Sequence, residues 1–317
     1  FNLLAGIARA QGWRMQDKAS LIQAAWGWQR AQFECPPSLT VAALCEVSAL
    51  SPRVMQQLIE PLCLSALNTP MREASATVFL RVLHDALLGG AGSTDLLMPR
   101  VDLGALLPET CLQWLGEKGA HIELGTRISA ARVDELLSTD QTVLLACPPW
   151  EAARLTAEVA PKWAYACAEL SHTAIATVYL HCKDEGFKGL SRPMLALHSS
   201  ATAPAQFVFD KGALSAQHGL LAAVVSACDA ERDEVAEQVH AQLSEQLGLT
   251  HLEFVQTVVE KRATLACTPL LNRPEPFVAK GLWACGDYIC GPYPSTLEGA
   301  VRSGQQVVTQ LSQVIHG

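Results

Sequence analysis

The sequence predicts an α/β protein, with α+β character in part of the chain. One domain is a parallel-type sheet assembled from separated stretches. The other has helices over a mixed or antiparallel sheet. Three observations carry this reading. The chain has 317 residues, about twice the ~150 residues of an average domain. The stretch Thr142-Val143-Leu144-Leu145-Ala146 is apolar almost throughout, as in strands of a sheet covered on both faces. Helical, apolar-strand and alternating-strand blocks follow one another along the chain, which points to layered α/β units. Residues 96–150 and 270–317 are expected to form the first domain. Residues 1–95 supply helices to the second, and residues 151–269 supply its sheet.

The elements follow in order. Residues 1–88 read as helices. The first residue is Phe1, and Phe1 to Arg9 has no charged head before its apolar part. This is too short for a signal peptide, and the chain is expected to begin in mid-protein. Ser51-Pro52 and Thr69-Pro70 each set a capping hydroxyl before a proline suited to a first helical turn. Ala76, Phe79, Leu80, Leu83 and Leu87 then recur at helical spacing, a face able to pack on a sheet or line a cavity. Gly89-Gly90-Ala91-Gly92-Ser93 breaks the pattern as a flexible connection.

Residues 103–118 read as a helix closed by Gly119. Ala120 to Leu124 alternates like a strand, and the strand 142–146 stops at Pro148-Pro149. Strands are expected at 174–183, 191–199, 205–212, 219–227 and 251–265. They are interrupted by a helix at 229–247 that buries Val235, Val239, Leu243 and Leu247 and ends at Gly248. The charges from Asp229 to Glu237 form its solvated side. A last strand at 281–285, a loop and a long helix finish the chain.

Composition narrows the function. Half of the residues are apolar and 17% are charged, which excludes a disordered chain. A net charge of −8 without a basic block argues against nucleic acid. No apolar run reaches the ~20 residues of a membrane span. The mean hydropathy of +0.18 points to an apolar ligand or a membrane-surface life. The eleven cysteines lie in apolar stretches without a Cys-x-x-Cys pair. That is how free thiols in a reducing compartment behave, and all eleven are expected to be unpaired. The nine histidines show no ligand spacing, so no metal site is expected.

Chemistry concentrates in Gly286 to Gly304. An apolar strand ends in Gly286-Asp287, a Gly/Pro-rich loop follows, and a helix begins. Ser295 and Glu298 have capping-box spacing. Leu297, Ala300, Val301, Gly304, Val307, Val308 and Leu311 mark the face expected to be buried. Gly299 and Gly304 allow a backbone or a flat ligand to come close. A helix start beside a strand end favours negative charge, and Asp287 there can accept hydrogen bonds from ligand hydroxyls. A plain strand–loop–helix with packing glycines fits the same residues.

This segment resembles the carboxyl-terminal flavin-binding motif of the amine oxidase and phytoene desaturase superfamily. The resemblance implies that Gly286 and Asp287 face the ribityl–phosphate part of FAD. It also implies that Leu297 offers its N–H to the flavin C2 carbonyl, beside Glu298 and Gly299. Residues 119–128 and Val143 to Pro149 resemble the family's middle segment, which would put Ile128 near the adenine; Cys147 stands where threonine is usual. Leu67 to Pro70, residues 79–88, Leu96 to Leu103 and Lys261 to Pro269 resemble the squalene-associated desaturases, or hydroxysqualene dehydroxylases. These likenesses imply an incomplete Rossmann-like FAD domain, discontinuous in sequence, beside a substrate domain. They are incomplete because no Gly-x-Gly-x-x-Gly occurs in the sequence, and no strand leads into Gly89–Gly92.

The implied function is FAD-dependent redox chemistry on a long isoprenoid: hydroxysqualene reduced to squalene by flavin hydride. A carotenoid-type desaturase, a flavin amine oxidase and a non-catalytic apolar-ligand-binding fragment are the alternatives. Loss of a hydroxyl needs a proton donor or a cation-stabilising group. Tyr288, Tyr293, Asp287 and Arg100 are polar candidates, and no catalytic residue is assigned. A long apolar cavity is expected near the Tyr288–Tyr293 loop, with Ala76, Phe79, Leu80 and Leu83 as one wall. The implied location is cytoplasmic. Contact with the inner face of a membrane and the oligomeric state are left open.

Overall fold

A computed structural model describes residues 12–88, 92–93 and 95–316. The opening segment Phe1–Arg9 and most of the Gly89–Ser93 connection lie outside the described residues. In chain order the helices begin with α1 (Met15–Arg30), α2 (Val41–Val47), α3 (Pro52–Val54), α4 (Glu60–Leu67) and α5 (Ala76–Leu88). They continue with α6 (Leu103–Leu106), α7 (Pro108–Glu117), α8 (Ala130–Ser138), α9 (Pro149–Thr156) and α10 (Pro161–Ala168). The last are α11 (Lys211–Ser215), α12 (Arg232–Leu247) and α13 (Leu297–His316). The strands are β1 (Val143–Leu145), β2 (His172–Cys182), β3 (Met194–Ala196), β4 (Phe207–Asp210), β5 (Leu220–Ser226), β6 (Leu252–Leu265), β7 (Phe277–Ala279) and β8 (Leu282–Ala284).

The chain divides into two compact units, one of residues 1–94, 128–174 and 261–317, the other of residues 95–127 and 175–260. In the first unit, α1 to α5 close around a core that includes Trp28, Leu44, Ile59, Phe79 and Leu80. Ser51 caps α3 by accepting from the Val54 amide, with Pro52 in the first turn. Between α3 and α4 the turn Met55–Ile59 is π-helical; Pro61 just beyond has no N–H to return to the preceding turn. Asn68 stops α4 in the left-handed region at φ 47°. Its amide donates to Thr173 O at 3.3 Å, Ala174 O at 3.5 Å and Thr264 Oγ1 at 2.9 Å.

The first unit also holds a small sheet in the order β1-β8-β7. β1 lies parallel to β8, with Val143, Leu144 and Leu145 opposite Leu282, Trp283 and Ala284. β7 is antiparallel to β8. The 142–146 and 281–285 stretches thus share one sheet. In the second unit the strand order is β3-β4-β5-β2-β6, with antiparallel pairing from β3 through β4 and β5 to β2. Val235, Val239 and Leu243 of α12 are fully buried in that unit's core, and Gly248 ends the helix at φ +67°.

Several local expectations are corrected. Thr69-Pro70 starts no helix. The Thr69 hydroxyl donates to Leu67 O two residues back and accepts from the distant Cys267 amide, so it is not free to cap a helix, and α5 begins only at Ala76. Residues 120–124 form no strand and are exposed. Alternation makes a strand only where a neighbouring edge supplies hydrogen bonds, and none pairs with them among the described residues. The α5 face of Ala76, Phe79, Leu80 and Leu83 is 0–6% exposed and packs into the helical core, so it is core rather than a tunnel wall. A separate apolar groove of about 850 Å³ lies beside α1 and α2, lined by Ile22, Trp26 and Val47 among others. All eleven cysteines are free thiols. Among the described residues, no helix is long and apolar enough to cross a membrane.

Candidate functional site

The site is built where β1 and β8 end side by side. The Cys285 amide donates to Leu145 O at 2.9 Å, holding the two strand ends in register. Beyond β1 the chain turns at Cys147-Pro148-Pro149 and enters α9, with proline in its first turn. Beyond β8 it runs through Gly286-Asp287. Between them lies a cavity of about 320 Å³, lined by Trp150, His172, Arg262, Gly286, Asp287 and Tyr288 among others. It sits outside the carboxyl ends of a parallel pair, where open α/β sheets take their ligands.

Gly286 fixes the turn. At φ +155° its conformation disfavours other residues, and a Cβ would stand 2.7 Å from the Tyr288 ring. The space in front of Gly286 is thus filled by Tyr288. The Gly286 amide donates to Ser303 Oγ at 2.8 Å, tying the turn to α13. Arg273 holds the following loop through the main-chain oxygens of Asp287, Tyr288, Gly291 and Tyr293. The Asp287 main-chain oxygen is therefore engaged, while its half-buried carboxylate accepts no hydrogen bond from the described residues. A carboxylate on a cavity wall without a donor is set to meet a ligand hydroxyl. Tyr288 is 1% exposed, its hydroxyl lacks a partner, and its ring lies edge-on to Trp163 at 6.5 Å. Burial pushes its phenol well above the ordinary range.

Also lining the cavity, the Arg262 guanidinium lies 4.6 Å from the centre of the Trp150 ring. His172 meets the same indole edge-on at 5.3 Å. Burial, then the neighbouring Arg262 charge, lowers the His172 pKa, and Asp287 acts against them. The cavity thus brings together a cation, a carboxylate without a hydrogen-bond donor and an imidazole biased to its neutral form.

The other expected site residues fall elsewhere. Ile128 is 41% exposed, and its main-chain oxygen accepts from Arg154. Leu297, the first residue of α13, is 66% exposed, and Glu298 pairs with Arg302. Gly299 borders a second cavity of about 240 Å³ with Arg81, Arg273, Tyr293 and Arg302. There the Tyr293 hydroxyl donates to Asp85 and accepts from Arg81, each at 3.0 Å. Arg100 is exposed in the second unit. The expected capping box is not formed. Ser295 Oγ accepts from the Leu265 amide at the end of β6, and Thr296 caps α13 by accepting from Gly299 N at 3.1 Å. The buried stripe expected of α13 is also only half realised: Val307 is buried, while Val301 and Val308 are exposed. Trp150 and His172 carry no motif spacing that could have flagged them. Arg262 lies in the Lys261–Pro269 segment but has no distinguishing neighbour there.

Residues 4–312 match the flavin-containing amine oxidoreductases. The chain belongs to that family. It is 28% identical over 272 residues to the hydroxysqualene dehydroxylase of Rhodopseudomonas palustris, covering 79% of this chain and 60% of that protein. The hydroxysqualene dehydroxylase of Zymomonas mobilis is 24% identical over 273 residues, with 79% and 61% covered. The chain thus spans about 60% of the length of these relatives. Among solved structures, an oxidoreductase from Methanosarcina mazei superposes with a TM-score of 0.65 at 13% identity, over 98% of this chain and 75% of that one. Reduced UDP-galactopyranose mutase gives 0.52 at 11% identity, over 87% and 67%. Membership implies FAD, and the residues present fit it: the cavity lies at parallel strand ends, with a buried hydroxyl lacking a partner and a carboxylate lacking a donor on its wall.

Proposed function

We propose that the protein is an FAD-dependent oxidoreductase that reduces the isoprenoid alcohol hydroxysqualene to squalene. The observation that supports this most is its likeness to three proteins named hydroxysqualene dehydroxylases, at 24–28% identity. When bound and reduced by an external two-electron donor, FAD would supply the hydride. Asp287 would accept a hydrogen bond from a ribityl hydroxyl of bound FAD, and Ser303 and Arg273 hold the turn that carries it. The leaving hydroxyl takes a proton and departs as water as the carbon takes the hydride, so the balance needs one proton per turnover. Delivery of that proton is assigned to His172, the imidazole on the cavity wall; burial and then Arg262 lower its pKa, so it relays a proton rather than storing one. The hydrocarbon is held by burial of apolar area at ~25 cal/mol per Å²; its attachment to a membrane surface in the cell follows from its insolubility.

Anaerobic mixing of the FAD-reduced protein with hydroxysqualene tests the reading. Flavin reoxidation with one squalene formed per flavin is expected. Reduction of the oxidised flavin by phytoene or benzylamine, with no response to hydroxysqualene, overturns it. Asp287→Ala should weaken FAD binding about ten- to a hundredfold, the ~1.5–3 kcal/mol of one charge-assisted hydrogen bond, and leave melting without FAD unchanged. Intact affinity with lowered melting would make Asp287 a turn residue instead.

A further inference from the structure

Three arginines from separate segments of the first unit meet at the cavity of about 240 Å³ beside Tyr293. Arg81 comes from α5, Arg273 from the loop between β6 and β7, and Arg302 from α13. None of the described residues lining this cavity is acidic. The guanidinium carbons of Arg81 and Arg302 each lie 5.1 Å from the centre of the Tyr293 ring. Like charges gathered at one ring repel each other, so they call for counter-charge. Two carboxylates supply part of it: Asp85 lies 3.1 Å from Arg81, and Glu298 lies 2.5 Å from Arg302. Arg273 has no such partner, because its hydrogen bonds all go to main-chain oxygens of the Asp287–Tyr293 loop. A half-buried cation is ordinarily paired, since pairing offsets its desolvation. Donors are left over as well. Arg302 gives Nε to Glu298, and Arg81 gives Nε to Asp85 and one terminal nitrogen to Tyr293. Their other terminal nitrogens make no hydrogen bond among the described residues.

We propose that this cavity binds a phosphate or diphosphate group, held by the free terminal nitrogens of Arg81 and Arg302, with Arg273 as a further counter-charge. Guanidinium forks match the oxygens of a phosphate bidentately. A planar carboxylate is matched by a single fork, and Arg81 and Arg302 each have one already. An anion with three or more oxygens can meet both side chains at once. The volume also narrows the ligand. It lies below the ~300–1,000 Å³ of pockets that enclose a drug-sized molecule, so the cavity takes the anionic group and not a whole dinucleotide. It shares no lining residue with the cavity of Asp287. The group bound here is thus additional to FAD, whichever alcohol the enzyme reduces. A free inorganic anion and the head of a phosphorylated lipid present the same chemistry to the three arginines.

The test is calorimetric titration of the 317-residue chain with inorganic diphosphate at constant ionic strength. One saturable site is expected. The Arg302 side chain is 57% exposed, so Arg302→Gln should leave the melting temperature unchanged and weaken binding at least tenfold. Arg81→Gln should weaken it to a similar degree. Lys183→Gln removes the same charge from the second unit and should leave binding as it is. Hexyl diphosphate in a parallel titration separates the two sources. Equal affinity assigns the site to a free anion, and tighter binding assigns it to the head of a lipid. Five results overturn the proposal. They are no saturable binding up to about 10 mM, unchanged affinity in Arg302→Gln, an equal loss in Lys183→Gln, acetate binding as tightly as diphosphate, and displacement of the diphosphate by FAD.

Discussion

Arg273→Met isolates the clamp on the Gly286–Tyr293 loop. The Arg273 guanidinium donates to Tyr293 O at 2.6 Å and to Asp287 O, with longer contacts of 3.3 Å to Gly291 O and 3.4 Å to Tyr288 O. Burial lowers its pKa, but a guanidinium stays charged, so the clamp persists across ordinary pH. Each short charge-assisted bond contributes ~1.5–3 kcal/mol, and contacts beyond ~3.2 Å add little. Two short bonds give ~3–6 kcal/mol. Gly291 and Pro292 are exposed, so water replaces part of this, leaving a loss of ~2–4 kcal/mol. At ~1.4 kcal/mol per decade, local opening becomes about thirty- to seven-hundredfold more frequent. The reporters are the Ile289 and Cys290 amides, which donate to Gly286 O and Pro274 O. Their hydrogen exchange should accelerate by that factor in Arg273→Met and by less in Arg273→Lys, whose single ammonium cannot span the four carbonyls. Lys183→Gln, which breaks an exposed pair with Glu253 in the second unit, serves as the control and should stay near wild type. Exchange within threefold of wild type in Arg273→Met would refute the clamp.

In the second unit, hydrogen bonds from His251 and then Thr250 hold the Asp184 carboxyl well below its ordinary range. Its stabilisation is complete above the unfolded value of ~3.9 and fades as pH falls through the lower folded value. The urea midpoint of that unit should therefore decline below about pH 4, and Asp184→Asn should flatten the decline; an unchanged pH profile counts against the pair. Phe79→Ala removes a ring that is 0% exposed and should cost ~3–5 kcal/mol in urea unfolding, and a loss under ~1 kcal/mol would take Phe79 out of the core. Under native conditions a thiol reagent should reach the exposed Cys111 first. Cys45, Cys63 and Cys167, buried and pushed up to about 12, should react only on unfolding, when all eleven titrate; fewer than ten would mean a disulfide.

Much of the architecture was legible because it depends on periodicity. Strands β2 to β6 and helix α12 fall where alternation and the 3.6-residue repeat put them. Gly119 and Gly248 stop their helices as glycines in the left-handed region do. What periodicity cannot read is competition for a side chain. Thr69 and Ser295 both look like caps, yet each hydroxyl accepts from an amide far along the chain, Cys267 and Leu265. Likewise the alternation of 120–124 encodes a strand but not the partner it needs. At the site, Gly286 and Asp287 stand out because a glycine–acid pair after an apolar strand is distinctive. Trp150, His172 and Arg262 reach the same cavity from three separate segments, and nothing local in the sequence announces a meeting made by the fold.

Asn68 shows how narrow a position outside the cavity can be. It must hold φ 47° to end α4, and the two hydrogens of its amide serve Thr264 Oγ1 at 2.9 Å and, shared, the longer contacts to Thr173 O and Ala174 O. Glycine meets the first demand and fails the second. Aspartate tolerates the conformation but would turn an acceptor toward two carbonyl oxygens. Glutamine has the amide without the ease of turning left. Position 68 therefore narrows neutral drift twice over, by its left-handed backbone and by the donor it must present.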